Sequence, residues 1–125
     1  MKITIKAVPP SLNKFSGRNN VWEYRKMKKD WTMLVKATAM SKVKSPAEFA
    51  LVRIDYFFKT RVRHDSDNYC GKFILDGLTA AGVIIDDDFE HIALLLHGHY
   101  DKENPRTEIT VTPVDKELLQ GDERA

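Results

Sequence analysis

His64-Asp65-Ser66-Asp67-Asn68 sets two carboxylates two positions apart, and in an extended segment residues so spaced point to the same side. Both can then reach one hard cation through oxygen, the ligand chemistry of Mg²⁺ and Mn²⁺. A third carboxylate is needed to complete such a site, and Asp86-Asp87-Asp88 offers it further along the chain. An ion held in this way makes an attacking water more acidic and stabilises the extra negative charge of a phosphodiester transition state. A helix starting at this point favours the ionised form of Asp65 and Asp67, and Lys72 within it offers a cation to a phosphate oxygen. Each piece alone has a plainer account: an Asp before a helix is an N-cap, an Asp-rich turn is common, and Lys72 suits an exposed helix face.

Other groupings are weaker. Asp65, Asp67 and Asp76 fall at the first, third and twelfth places of an EF-hand loop, but Cys70 stands where its turn glycine belongs and Tyr69 replaces a ligand. His97 and His99 share a strand face and no carboxylate or Cys accompanies them in sequence, so they are expected to be ordinary strand histidines. Cys70 lacks an acid–base partner at fixed spacing and is expected to pack in the helix; His64 and His91 are left outside the core site.

The elements that must position these residues follow from periodicity. Met1 to Val8 alternates as a half-buried strand, ended by Pro9-Pro10, and Ser11 to Asn20 reads as a loop. From Val21 to about Met40 the positions Tyr24, Met27, Trp31, Leu34, Val35 and Thr38 recur at three- and four-residue steps, an amphipathic helix. Trp22, near its start, suits either core or ligand stacking. Phe49 to Thr60 should be the central strand, with Val52, Ile54, Tyr56 and Phe58 opposite Arg53, Asp55 and Lys59. A second helix is expected from about Asp67 to Ala81, stopping at Gly82, and at ~22 Å it obliges the acidic turn to fold back along its side. His91 to Tyr100 and Thr107 to Pro113 read as strands joined by hairpin-loop residues 101–106, and a polar tail covers 114–125. The order β-α-β-α-β-β predicts an α+β fold, a mixed sheet with two flanking helices.

With 125 residues, 42% of them hydrophobic, the chain suits one domain over 1–125. The longest apolar run, Ile92 to Leu96, is far short of the ~20 residues of a membrane helix, and the start carries no apolar signal segment. A single Cys excludes an internal disulfide or a Cys-based zinc site, so a cytoplasmic protein is expected. The net charge of +2 hides an asymmetry: Met1 to Lys44 holds 11 Lys+Arg against 2 Asp+Glu, a net of +9, and Ser45 to Ala125 holds 9 against 16, a net of −7. A basic third joined to an acidic remainder suits a protein that grips a polyanion with one surface and reserves carboxylates for another task.

Asp65-Ser66-Asp67-Asn68, Lys72, Asp76-Gly77-Leu78, Ala81-Gly82-Val83 and Asp86-Asp87 together resemble the signature of the RusA family of Holliday junction resolvases. The likeness is tight from Arg63 to about Ile92, and Pro9-Pro10-Ser11-Leu12-Asn13 resembles the family's early motif. The interval from Asp67 to Lys72 is one residue longer than in the type member, which calls for an insertion near Tyr69 to Gly71. The resemblance implies a homodimeric, Mg²⁺-dependent endonuclease (Mn²⁺ a substitute) acting on four-way DNA junctions in recombination and repair. It implies Asp65, Asp67 and Asp87 as metal-holding catalytic carboxylates and Lys72 as a basic partner. Among the triple Asp the spacing from Asp76 favours Asp87, with Asp86 behind it. Lys14, Arg18, Arg25, Lys28, Lys29, Arg61 and Arg63 are the expected phosphate contacts, reading shape and charge. The alternatives left open are a nuclease on flaps or forks and a DNA-binding dimer without catalysis.

Overall fold

β2 (Ala50–Phe58) is the strand around which the rest is arranged. Ala50, Val52, Ile54, Tyr56 and Phe58 are buried on one face, and Leu51, Arg53, Asp55 and Phe57 line the other, as alternation demands. In the computed structural model, which describes residues 1–15, 20–42, 45–69 and 71–119, four strands form one mixed sheet in the order β1-β4-β2-β3. β1 (Lys2–Ile5) pairs antiparallel with β4 (Arg106–Pro113), β4 antiparallel with β2, and β2 parallel with β3 (Ile92–Tyr100). The parallel pair follows from its connection, because the chain returns from the end of β2 to the start of β3 through a helix, α2 (Lys72–Ala80).

α1 (Val21–Ala39) and α2 pack on the buried face and share its core with Ile3, Val52, Ile54 and Ile109. α1 buries Trp31, Val35 and Ala39, one residue per turn. Tyr24 and Met27 pack partly against the core, while Leu34, expected on the inner stripe, is 42% exposed. The α1–α2 approach is close because position 77 has no side chain: a Cβ there would lie 2.5 Å from Val35 Cβ. A short helix, α3 (Lys116–Leu119), closes the described chain.

Two expectations are corrected. The helix foreseen from Asp67 to Ala81 is interrupted: Ser66–Tyr69 forms a single 3₁₀ turn, and α2 starts only after Gly71, whose φ of +87° is reserved for glycine. Gly71 O accepts from the backbone N–H groups of Ile74 and Leu75, both at 2.9 Å, so it is the cap of the second helix. The strands joined by 101–106 are not a hairpin either, because β2 lies between β3 and β4. That loop crosses the end of β2, where Asp101 N–H donates to Phe58 O at 2.8 Å and Arg106 clasps Asp101 Oδ2 at 2.8 Å and Asn104 O at 3.0 Å. The α+β fold, the central strand, the helix stop at Gly82 (φ +77°) and the later strand boundaries lie near where periodicity puts them, whereas the first strand ends at Ile5 and Leu12–Phe15 forms a 3₁₀ turn within the expected loop.

Candidate active site

Past Phe58 the chain leaves the sheet in a basic stretch and reaches the turn carrying Asp65. This turn is rooted on an aromatic cluster. His64 stacks on Phe58 with ring centroids 3.8 Å apart, and Tyr69 meets Phe58, Tyr56 and His64 at 5.0, 5.7 and 5.7 Å. Burial raises the Tyr69 hydroxyl pKa, opposed by a hydrogen bond with Ser11, which ties the early Pro-Pro-Ser segment to the same turn. Asp65 O accepts from Asn68 N–H at 3.0 Å, and the exposed Asp65 carboxylate is held by Arg63 Nε at 2.8 Å. Arg63, expected to bind phosphate, is thus paired with a candidate ligand in the same turn. Of Asp67 the backbone alone is described, within the 3₁₀ turn.

The acidic turn enters from the other end of α2. Ile84 forms a parallel bridge with Ala47, anchoring the segment before Asp86. The three aspartates then separate by partner. Asp88 Oδ1 accepts from Glu90 N–H at 3.1 Å and meets His91 Nδ1 at 2.5 Å, so this carboxylate closes its own turn. Asp86 Oδ1 accepts from Asp87 N–H at 2.8 Å. The Asp87 carboxyl is raised above the usual carboxylate value, first by partial burial and then by the neighbouring carboxylates of Asp86 and Asp76. Since Asp76 lies in α2 and the nine residues of that helix span only ~13.5 Å, the fold-back of the turn is shorter than a fifteen-residue helix would need. Lys28 of α1 reaches Asp76 at 3.3 Å.

Among the described residues no contact joins Asp65 to Asp87; the first faces the β2 exit and the second meets α2. Lys72, the first residue of α2, is exposed beside Leu12, Phe15 and Tyr24 and pairs with no described carboxylate. Of the expected phosphate contacts, Arg25 and Lys29 are exposed on the outer face of α1, and Lys14 is exposed near the Phe15 ring. Arg61 lies 4.0 Å over the Tyr100 ring, and Lys28 is paired as described. Arg18 and Cys70 lie outside the described residues.

The model of the family described as endodeoxyribonuclease RusA matches residues 4–112, most of the chain. The chain belongs to the RusA endodeoxyribonuclease family. The RusA match spans both the Asp65–Asn68 turn and the Asp86–Asp88 turn, as well as all of α1, α2, β2 and β3. RusA-family enzymes are Holliday junction resolvases, so the chemistry required here is phosphodiester hydrolysis in DNA. No curated protein matches the chain.

One grouping is invisible to the sequence reading. His97 and His99 do have a carboxylate beside them: the parallel register sets Asp55 against His97, and one ligand atom from each of Asp55, His97 and His99 lies within 4.8 Å of the others. The expectation of solitary strand histidines is therefore overturned by strand pairing. Asp55 comes from β2, 44 positions before His99. Alternation does set Asp55 on the polar side of its strand, but only pairing reveals its neighbours.

Proposed function

We propose that this RusA-family enzyme cuts four-way DNA junctions in recombination and repair. It would work as a homodimer of one domain per chain, with Asp65, Asp67 and Asp87 holding Mg²⁺ (or Mn²⁺) and Lys72 assisting at a phosphate oxygen. The observation that carries the reading is the acidic turn folded back onto α2. Partial burial and the carboxylates of Asp86 and Asp76 together push the Asp87 carboxyl up, a local excess of negative charge that a cation would relieve. The donor set is all oxygen, and Asp65 and Asp87 are open to solvent, as a hard divalent ion requires. Such an ion supplies a polarised phosphate oxygen and a more acidic water.

The chain's own residues do the rest. Asp86, hydrogen-bonded to the Asp87 backbone, fixes the turn that presents Asp87. Asp88 and His91 close that turn from behind. Arg63 neutralises Asp65 in the free protein, and an arriving phosphate competes for the same guanidinium, so DNA binding would release Asp65 for metal as it engages Arg63. Two-fold symmetry would present two such centres to opposing strands of one junction. Among the described residues no helix is long and apolar enough to cross a membrane.

The test is cleavage of an immobile four-way junction with Mg²⁺, beside the linear duplex of each arm, with every cut mapped and the mass in solution measured. Nicks in pairs at symmetry-related positions, by a dimer, with the linear DNA largely intact, are expected. Asp67→Asn should abolish cleavage and leave junction binding unchanged or tighter, because it removes a charge that repels phosphate. Equal cutting of linear DNA or of flaps and forks would replace the junction reading with a broader branched-DNA nuclease. Binding with no metal-dependent cleavage would leave only a DNA-binding dimer.

A further inference from the structure

The sheet face opposite the helices carries a polar network with Asp55 at its centre. Asp55 is 8% exposed, and two cationic or basic partners converge on its carboxylate. Arg53 Nε donates to Oδ2 at 2.9 Å and Arg53 Nη2 to Oδ1 at 3.1 Å, while His99 Nε2 lies 2.7 Å from Oδ1. His97 Nδ1 stands 3.9 Å from the same oxygen. Burial alone would raise this carboxyl, but the hydrogen bonds from Arg53 and His99 outweigh it and hold its pKa below the usual value. Glu108, the register neighbour of Asp55 on β4, is taken by Arg106 at 2.6 Å and Lys2 at 2.8 Å and stays out of the group.

We propose that Asp55, His97 and His99 form a site for a borderline divalent ion of the Zn²⁺ class, separate from the all-oxygen aspartate cluster. Two imidazoles and one carboxylate make a three-ligand zinc set that leaves a fourth position open. The spacing is close to what an ion demands. Zinc bonds of about 2.0–2.1 Å in a tetrahedron hold ligand atoms ~3.3 Å apart. The Asp55 separations of 2.7 Å to His99 and 3.9 Å to His97 bracket that figure, and all three ligand atoms lie within 4.8 Å of one another, so side-chain adjustments of about 1 Å bring them to an ion. The ligands are also held in place. His99 stacks on Phe57 at 4.4 Å between ring centroids, and the Arg106 guanidinium covers that Phe57 ring at 3.7 Å. The strand backbone fixes His97 and His99 on one side.

A positive group already stands in the seat. Arg53 Nη2 lies 3.1 Å from Asp55 Oδ1 and 3.4 Å from His97 Nδ1, between two of the three ligand atoms. The metal-free protein therefore satisfies Asp55 with a guanidinium, and an incoming ion displaces Nη2 while Nε can keep its hold on Oδ2. Arg53 is thus a built-in competitor, and removing it leaves the ligands in place while lifting the opposing charge.

The experiment is titration of metal-free full-length protein with Zn²⁺ by calorimetry, with Co²⁺ as a visible-absorbing stand-in that reports tetrahedral nitrogen and oxygen ligation. With saturating Mg²⁺ present to occupy the aspartate centre, the wild type should take up one zinc ion per chain. His97→Ala and His99→Ala, checked for folding by circular dichroism, should weaken binding by more than the roughly 10–100-fold typical of removing a hydrogen-bond partner of a ligand. Arg53→Ala should tighten it several-fold, a change that no loss of folding can mimic. Asp87→Asn should leave both the stoichiometry and the Co²⁺ spectrum unchanged, which separates this site from the nuclease centre. Failure of the wild type to bind one ion per chain overturns the proposal. So does binding that survives His97→Ala together with His99→Ala, or that disappears in Asp87→Asn.

Discussion

Asp87 sits where partial burial and two neighbouring carboxylates all favour its protonated form. A carboxyl whose folded pKa is raised contributes stability at low pH that is lost as pH rises through the folded value, so ionised Asp87 works against the metal-free fold at neutral pH. Asp87→Asn should accordingly raise the melting temperature of the metal-free protein by a degree or two, the scale of partly exposed charge interactions worth ~0.2–1 kcal/mol. The same variant should lose the stabilisation that Mg²⁺ gives the wild type, and cleavage with it. Thermal melts with and without Mg²⁺ decide the matter, and a lower metal-free melting temperature would remove the repulsion argument. The acidic turn is legible in sequence because its residues are consecutive. The Asp55–His97–His99 group is not, because it depends on which strand lies beside which and in what register. The pairing of Arg63 with Asp65 is hidden for a different reason: a basic residue two positions from a carboxylate suits a phosphate and a counter-ion role equally well until the turn brings the two side chains together.

At the scale of elements, α2 does two jobs: it is the crossover that makes β2 and β3 parallel, and it carries Asp76, whose charge bears on Asp87. Its seat on α1 depends on Gly77, where an added Cβ would come 2.5 Å from Val35 Cβ and 3.0 Å from Thr32 O. Gly77→Ala should therefore force the helices apart at a cost of about 1–3 kcal/mol, the usual range for overpacking. Combining it with Val35→Gly should cost less than the two changes summed, since only loss of the Val35 Cβ clears the 2.5 Å approach. Denaturant melts of the four proteins read this coupling, and strict additivity would show that Val35 is not what limits the approach. α1 and β2 are legible almost to the residue because each shows one sustained period. The start of α2 is not, because the apolar stripe runs on through Gly71, whose positive φ only the backbone reveals. The order of β3 and β4 is obscure for a similar reason. Turn residues at 101–106 announce a reversal, but they do not say whether the returning strand pairs with the last one or passes to the far side of β2.

Over the whole molecule, part of the basic first third gathers on one helix face. The outer face of α1 brings together Trp22, Arg25, Lys26, Lys29 and Met33 with one carboxylate, Asp30, and Trp22 is 78% exposed, which assigns it to the surface whereas Trp31 goes to the core. This face borders the acidic turn through one link: Lys28, on the flank of α1, is paired with Asp76, whose charge also bears on Asp87. The two neighbouring lysines should then behave differently. Lys29 is exposed with no partner among the described ion pairs, so it and Arg25 are available to phosphate. Arg25→Ala with Lys29→Ala should lower the slope of log affinity against log salt by about 0.9 for each phosphate that is no longer neutralised. Lys28→Ala should change that slope less, because Asp76 already neutralises the ammonium in the free protein. It should instead raise cleavage at limiting Mg²⁺, since Asp76 loses its counter-ion and the turn around Asp87 becomes more negative and more attractive to a divalent cation. Trp22 fluorescence offers an independent reading: a base or backbone laid along this face should perturb it, and Trp31, only 6% exposed, should not respond. Junction binding measured across a salt series for the wild type, the double variant and Lys28→Ala separates the roles. Equal slopes for all three would reduce the α1 face to a solvated surface and send the search for the DNA path to Arg61 and Arg63 at the β2 exit.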